Sequence, residues 1–259
     1  MNTNSNTYTV IYSVILVVVV AVVLAFTAIT LQPAQETNVK VETISKILSS
    51  VGLYDAESGM SNDEIIKTYS DNIKEAILVN AEGQVIGNMK TDAKNVELKG
   101  QSDLKLQTTY IKKASEGDAA AKAEIALPVY IFNVNGKTVP VVPCYGAGLW
   151  GPVWGYLAFE GDMNTIEGAV FDHKGETPGL GAEIATDWFR NNFTGKKIYN
   201  AEGEFTSVKV VKGGASEDDI NGVDAISGGT ITSQALEKAI KTWLEAYVPY
   251  FETLKVVEE

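Results

Sequence analysis

The sequence contains only one cysteine, Cys144, and one histidine, His173, among its 259 residues. A single thiol excludes an intramolecular disulfide and any zinc or iron–sulfur site built from several cysteines of this chain. No Ser/His/Asp or metal-ligand grouping surrounds His173 in the sequence, so we expect it to be a surface or packing residue. The sequence therefore predicts neither a catalytic residue nor a metal site.

Basic residues are few, with 21 Lys and Arg against 33 Asp and Glu, a net charge of −12. Nucleic acid is therefore not expected as a partner, because binding to a phosphate backbone requires basic patches. The run Gly146-x-Gly148-x-x-Gly151 has the G-x-G-x-x-G spacing, but it leads into a predicted strand and not into a helix, so no NADH site is predicted. The hydrophobic content of 45% is sufficient for a buried core.

Charge is absent from the N-terminal region, where no Asp, Glu, Lys or Arg precedes Glu36. Residues 10–31 form an apolar run that would be about 33 Å long as a helix, enough to cross a bilayer. A cleaved signal peptide is the alternative, but the run is longer than a typical signal core and lacks a basic flank. We therefore expect a short tail at 1–9 and one transmembrane helix at 10–31. The default orientation places the tail inside and the large domain outside.

The rest of the chain shows strand and helix patterns without a βαβ rhythm, which favours an α+β fold with a mixed, mainly antiparallel sheet and flanking helices. An α/β extension is predicted at 36–125 and a β-rich domain at 126–259. Asn135-Gly136 predicts a hairpin turn. Predicted strands lie at 76–80, 85–86, 129–134, 138–142, 166–171 and 205–211, with one more ending at Phe159. Predicted helices lie at 44–51, from 61 or 62 to about 73, at 182–193, and after the segment 224–233.

The segment 224–233 carries glycines and hydroxyls immediately before an amphipathic helix. Unpaired N–H groups and the positive end of the helix dipole make such a place suitable for an anion, and a phosphate would fit there. A simpler interpretation is a tight turn at Gly228-Gly229 followed by a helix capped by Thr230, Thr232 or Ser233. Spacing alone leaves both interpretations open.

The pattern Asp224-x-x-Ser227-Gly228-Gly229-Thr230-x-Thr232 resembles the flavinylation motif of the FMN-binding domain family. In that motif a threonine is esterified through its hydroxyl to the phosphate of FMN, and the matching residue here is Thr230. The resemblance makes Ser227, Gly228, Gly229 and Thr232 part of the cofactor site, and gives Asp224 and Ser227 a role in shaping the turn or assisting attachment. Gly229 stands where alanine is commoner.

Two further segments resemble the same family. The run Glu176-Thr177-Pro178-Gly179-Leu180-Gly181 implies that Thr177, Leu180 and Gly181 contact the flavin ring, although a structural turn capped by Thr177 would have the same sequence. The run around Leu149 and Trp150 implies that these two residues form a wall of the ring site. Trp150 and Trp154 would share one face if the segment were extended, and aromatic residues in such a stretch usually belong to the core.

The anchor, the long segment before the flavin domain and the H-x-G-E-T-P-G-L-G run together resemble the family of C subunits from sodium-translocating NADH:quinone oxidoreductases (Nqr). The resemblance implies an electron-transfer protein that carries covalent FMN and has no complete active site of its own. Implied partners are the other subunits of the membrane complex, including a second covalent-flavin subunit, and a flavin transferase during maturation. The implied location is the inner membrane, with the flavin domain on the periplasmic side.

Three alternatives stay open at this point. The first is the G subunit of an Rnf-type ferredoxin:NAD complex, which shares the anchor and the threonine motif but is generally shorter before the flavin domain. The second is a module that binds a phosphorylated small molecule without a covalent bond. The third is a structural domain in which every motif is only a cap or a turn.

Overall fold

The computed structural model describes residues 5–255. The chain forms two compact units that meet between Glu42 and Thr43. The helices are α1 (Asn6–Ser50), α2 (Asn62–Asn72), α3 (Gln101–Ser115), α4 (Ala119–Ala123), α5 (Asp187–Asn191) and α6 (Thr230–Lys255). The strands are β1 (Ile73–Val79), β2 (Val85–Met89), β3 (Leu127–Val134), β4 (Lys137–Ala147), β5 (Pro152–Phe159), β6 (Ile166–His173), β7 (Lys209–Val211) and β8 (Gly222–Asp224).

The first unit consists of the larger part of α1. Within the described residues, α1 is the one helix whose length and composition suit a membrane span, and none of its most apolar stretch is buried. The predicted span 10–31 lies inside α1, which already begins at Asn6. Of the predicted tail 1–9, residues 1–4 lie outside the described part of the chain. The helix predicted separately at 44–51 is the last part of α1.

The second unit is built on one six-stranded sheet of order β2-β1-β3-β4-β5-β6, in which every neighbouring pair is antiparallel. Two short strands, β7 and β8, pair in parallel apart from it. The predicted α+β class with a mainly antiparallel sheet is confirmed. Strands β1 and β2 come from the predicted extension 36–125 and lie in the same sheet as the strands that follow residue 126.

The β3–β4 hairpin turns at Asn135 and Gly136, which adopt φ angles of 52° and 83°. Positive φ at both central residues is what a two-residue hairpin turn requires, and the predicted hairpin is confirmed. The strands then pair from Val134 and Lys137 onward. This arrangement places the long strand β4 in the interior of the sheet.

Helix α6 packs on the sheet through the apolar side chains that recur at helical spacing. These residues are fully buried: Leu236, Ile240, Trp243, Leu244 and Tyr247. The indole N–H of Trp243 donates to the carbonyl oxygen of Tyr145 in β4 at 3.0 Å. The hydroxyl of Tyr247 donates to the carbonyl oxygen of Pro128 in β3 at 2.6 Å. Helix α6 is thereby fixed across the sheet, and its first turn is held beside the end of β4.

Two predicted elements differ in the structure. The strand predicted at 205–211 is reduced to β7, because the N–H groups of Thr206 and Ser207 both donate to the carbonyl of Ile198 and Ser207 adopts φ 63°. The helix predicted at 182–193 is divided into a 3₁₀ turn, Gly181–Ala185, and α5. Thr186 separates them with an extended backbone and caps α5 by accepting the N–H of Phe189.

Candidate functional site

The site residues selected from the sequence lie around one cleft beside the N-terminus of α6. The cleft has a volume of about 150 Å³. Its walls come from the β4–β5 loop, the turn after β6 and the loop that enters α6. The lining residues are Leu149, Trp150, Glu176, Thr177, Leu180, Gly181, Gly228, Gly229, Thr230, Ile231 and Thr232. Of the predicted site residues, Ser227 alone is not in the walls; it is exposed beside Gly228.

Helix α6 begins at Thr230. Within residues 5–255, the backbone N–H groups of Thr230, Ile231 and Thr232 have no hydrogen-bond acceptor, and Ser233 is the first to donate, to the carbonyl of Gly229 at 3.0 Å. Three unpaired N–H groups at the positive end of a 26-residue helix attract an anion. The start of α6 is therefore suited to a phosphate group.

The hydroxyl groups of the motif have different partners. Thr232 donates to Glu176 Oε2 at 2.6 Å, and Ser233 Oγ accepts the N–H of Ile226 at 3.2 Å while donating to the carbonyl of Gly229 at 3.0 Å. The alternative interpretation of Thr232 and Ser233 as helix caps is therefore wrong. The half-buried Thr230 hydroxyl makes no hydrogen bond within the described part of the chain, so its oxygen is available at the cleft.

The two glycines before Thr230 allow the loop to approach the turn after β6. Gly228 has φ 74°, and a Cβ atom there would lie 2.6 Å from a methyl carbon of Leu180. A Cβ atom on Gly229 would lie 2.8 Å from the carbonyl oxygen of Leu180. Glycine at 229, the one visible departure from the commoner motif, therefore matches a backbone-to-backbone approach that leaves no room for a methyl group.

The turn after β6 is stabilised by its own hydrogen bonds. The carbonyl of Thr177 accepts the N–H groups of Leu180 and Ala182, both at 3.1 Å, and Gly179 adopts φ 74°. The Thr177 and Leu180 side chains are exposed at the cleft, whereas Gly181 is buried. The segment is thus a structural turn and also a wall of the cleft. Within residues 5–255 the Thr177 side chain makes no capping hydrogen bond, so the interpretation of Thr177 as a cap is wrong.

The β4–β5 loop presents Leu149 and Trp150 to solvent. The N–H of Gly148 donates to the carbonyl of Gly151 at 2.7 Å, which closes a tight loop. Trp150 is 70% exposed in this loop, whereas Trp154 lies in β5 and is buried. The Lys46 ammonium lies 5.6 Å from the centre of the Trp154 ring. The two tryptophans were expected to share a face only if the segment were extended, and that condition is not met, because the chain turns between them.

Sequence reasoning missed two lining residues, Ile231 and Glu176. Glu176 is the buried, polar one of the two. It is 4% exposed, and its carboxylate accepts the N–H of Trp150 at 2.9 Å in addition to the Thr232 hydroxyl. Burial opposes ionisation, but hydrogen bonds from Thr232 and from the backbone of residues 149–151 outweigh it and hold the pKa of Glu176 below its usual value. Its position at the head of the E-T-P-G-L-G segment was the available signal.

Two other polar residues of the motifs have structural contacts. The Nδ1 atom of His173 accepts the N–H of Glu176 at 3.2 Å, so the histidine supports the turn as a packing residue. The Asp224 carboxylate accepts the N–H of Ala215 at 2.7 Å and shapes the loop before the cleft. Within residues 5–255, no group of three or more His, Cys, Asp or Glu side chains is placed to hold a metal ion.

The site combines an anion-binding helix start with exposed apolar walls formed by Leu149, Trp150, Leu180 and Ile231. Such a site suits a ligand that has a phosphate at one end and a flat aromatic body at the other. The residues present therefore fit FMN. Glu176, the one ionisable side chain in the walls, has its carboxylate oxygens in hydrogen bonds, so the cleft offers binding and orientation rather than acid–base chemistry.

This chain is similar to known flavin-binding proteins of one family model and to several C subunits of one enzyme complex. The model of the FMN-binding domain family matches residues 148–245. The chain is 30% identical over 238 residues to the C subunit of Na(+)-translocating NADH-quinone reductase from Neisseria meningitidis serogroup B, covering 90% of this chain and 88% of that protein. It is 31% identical over 236 residues to the corresponding protein of Haemophilus ducreyi, with the same coverage.

Solved structures of such C subunits are also similar. The crystal structure of the one from Parabacteroides distasonis aligns with a TM-score of 0.67 at 38% identity, covering 85% of this chain and 96% of that chain. The crystal structure of NqrC from Shewanella oneidensis aligns with a TM-score of 0.64 at 28% identity, covering 85% and 99% respectively.

Proposed function

The chain belongs to the NqrC family, the C subunits of Na(+)-translocating NADH-quinone reductases, and from this premise we propose that it is the membrane-anchored electron-transfer protein that carries FMN in a phosphoester bond to Thr230. The observation that carries the proposal is the cleft at the start of α6. Three segments that are far apart in sequence meet there around the Thr230 hydroxyl and three unpaired N–H groups.

Different residues of the cleft would contact different parts of the cofactor. The Thr230 oxygen is the ester atom, and the N–H groups of residues 230–232 bind the remaining phosphate oxygens. Leu149 and Trp150 on one side and Thr177 and Leu180 on the other contact the ring. Gly181, Gly228 and Gly229 keep the walls close together, and the Ser227 hydroxyl assists attachment at the rim. FMN, when bound, supplies the capacity to accept and pass on electrons.

The protein would work as one part of an assembly. This chain would hold a flavin through which an electron passes, within the membrane complex, to a second covalent-flavin subunit on the way to ubiquinone. We assign sodium pumping and NADH oxidation to the assembly and not to this chain. A separate flavin transferase would attach the FMN to Thr230 during maturation.

The apolar part of α1 would anchor the chain in the inner membrane by a single pass, with the flavin domain on the periplasmic side. A domain in that location has no cytosolic FMN pool from which to refill a dissociating site. A covalent bond keeps the cofactor there without requiring tight reversible binding. The apolar helix at one end of the chain would thus account for the covalent threonine near the other.

The test is in-gel flavin fluorescence after denaturing electrophoresis of protein co-expressed with a flavin transferase. We expect a fluorescent band for the wild type and for Thr230→Ser, which keeps a hydroxyl, and a dark band for Thr230→Ala and the isosteric Thr230→Val. A dark wild-type band beside an active transferase would favour the non-covalent phosphate-binding module. A fluorescent band for Thr230→Val would show that the ester lies elsewhere.

A further inference from the structure

Glu176 is a buried carboxylate at the flavin cleft to which the proposed function assigns no role. Its two oxygen atoms join two different segments: Oε1 accepts the N–H of Trp150 at 2.9 Å, and Oε2 accepts the hydroxyl of Thr232 at 2.6 Å. The first contact holds the loop that carries the exposed tryptophan wall. The second holds the first turn of α6, where the phosphate would bind. One side chain therefore sets the spacing between the two ends of the cofactor site.

The surroundings of this carboxylate are shaped by two glycines. A Cβ atom on Gly148 would lie 2.6 Å from Oε1, and a Cβ atom on Gly181 would lie 2.6 Å from Oε2. Neither glycine has a positive φ, so backbone conformation does not require glycine at these positions. What requires it is the close approach of neighbouring atoms, since that carbon would also meet the Thr232 hydroxyl at Gly181 and lie 2.8 Å from the Gly151 carbonyl oxygen at Gly148. The backbone thus packs closely around the bonded pair of Glu176 and Thr232.

The charge on Glu176 has no cationic partner. Within residues 5–255 no lysine or arginine forms an ion pair with it, and its hydrogen bonds come from neutral donors. A buried charge that is held by neutral dipoles is weakly screened, so its field extends into the adjoining cleft. Reduction adds negative charge to a flavin, and a fixed anion nearby opposes that change.

We propose that Glu176 is a positioning residue that joins the Trp150 loop to the start of α6 and, by its negative charge, makes the flavin harder to reduce. The proposal rests on the proposed function, because it concerns the flavin held in that cleft. It adds a residue that sets the reduction potential of this protein. The cofactor site is thereby tuned by a buried group in its own walls.

The charge is tested by Glu176→Gln in the full-length flavinylated protein. Glutamine keeps the shape, since its oxygen can accept the Trp150 N–H while its amide group donates to the Thr232 hydroxyl. We expect the equilibrium constant for one-electron reduction to rise at least about tenfold, equal to about 59 mV for a one-electron couple. The matched control is Glu183→Gln, because Glu183 accepts the Gly179 N–H in the same turn but does not line the cleft.

The bridging role is tested without flavin, by hydrogen exchange of residues 148–151 in full-length protein made without the transferase. Glu176→Ala removes the acceptor, and we expect exchange of the Trp150 N–H to become about tenfold faster, with the glutamine variant close to the wild type. Unchanged exchange in the alanine variant overturns the bridge. A potential that is unchanged or more negative in Glu176→Gln, or that moves equally in Glu183→Gln, overturns the charge effect.

The two tests separate this proposal from the proposed function. If the wild type acquires no flavin from an active transferase, the proposed function fails and the effect on potential fails with it. The hydrogen-exchange result still decides whether Glu176 connects the two segments. If the wild type is flavinylated and Glu176→Gln leaves its potential unchanged, the proposed function stands and the tuning role is rejected.

Discussion

The hydroxyl of Thr232 donates to the carboxylate of Glu176 across 2.6 Å, and both groups are buried. This bond connects the first turn of α6 to the turn that follows β6. We expect Thr232→Val, which keeps the side-chain shape, to lower the free energy of unfolding by about 1 to 3 kcal/mol, because one buried carboxylate oxygen loses its donor. Urea unfolding of flavin-free protein measures the change.

The matched control is Thr242→Val in the same helix. Thr242 is half-buried, and its hydroxyl makes no hydrogen bond within residues 5–255. We expect this variant to remain within about 0.5 kcal/mol of the wild type. Equal losses in the two variants would mean that the valine side chain in α6, and not the bond to Glu176, causes the effect.

The lowered pKa of Glu176 predicts a specific pH dependence of stability. The unfolded state binds the proton more readily than the folded state, so the ionised carboxylate stabilises the fold above the usual glutamate pKa of about 4.3. That contribution disappears as the pH falls from there through the lower pKa of the folded state. We expect the difference in unfolding free energy between the wild type and Glu176→Gln to be constant near neutrality and to shift against the wild type on acidification. A difference independent of pH would contradict this.

Gly229→Ala introduces the residue that is commoner at this position of the motif. In this chain we expect it to lower the free energy of unfolding by about 1 to 3 kcal/mol, because the new methyl group would meet the carbonyl oxygen of Leu180 at 2.8 Å. The control is Gly161→Ala, where no atom lies within 4 Å of the added carbon. Thermal unfolding of both variants decides the question. If Gly229→Ala is as stable as the wild type, the turn that contains Leu180 can shift to accommodate the methyl group at little cost in free energy.

Trp150→Ala tests the proposed ring contact in flavinylated protein. An indole stacked on a flavin quenches its fluorescence, so we expect the emission per flavin to rise when Trp150 is removed. Trp188 is a suitable comparison, because it is also exposed, at 58%, but does not line the cleft. Similar emission from the wild type and from Trp150→Ala would place the ring away from this tryptophan.

Removal of residues 1–42 tests the anchor, since the compact second unit begins at Thr43. We expect the full-length chain to remain in the membrane fraction after carbonate extraction and the shortened chain to be recovered without detergent. Melting temperature serves as a control that the shortened chain is folded. Extraction of the full-length chain by carbonate would argue against a spanning helix.

The sequence was most informative where local chemistry determines structure. Asn135-Gly136 predicts its hairpin because few residue pairs tolerate two positive φ angles. The spacing of Leu236, Ile240 and Tyr247 predicts the buried face of α6 because helical periodicity is a local property. The three family-like segments predicted nine of the eleven residues that line the cleft, Thr230 among them.

Contacts between distant segments were beyond such reasoning. Glu176 belongs to the cleft because its carboxylate accepts hydrogen bonds from the Trp150 N–H and the Thr232 hydroxyl. Neither contact can be inferred from the order of residues in the sequence. The strand pattern ended at Val142, before Pro143, yet β4 continues to Ala147 because β5 pairs with it along that length. Conversely, the predicted strand 205–211 does not begin at 205. The carbonyl of Ile198 accepts the N–H groups of Thr206 and Ser207, which are then not available for strand pairing.

The order of the large sheet limits how this protein can be divided for experiments. β3 pairs with β1 on one side and β4 on the other, and the first six residues of β3 are buried. A fragment cut at residue 126, before the β-rich region, would expose β3 as a long apolar edge without β1. Such edges recruit strands from other molecules. An isolated flavin-binding fragment of this chain would therefore be prone to aggregate, and its insolubility would say nothing about its capacity to hold a cofactor.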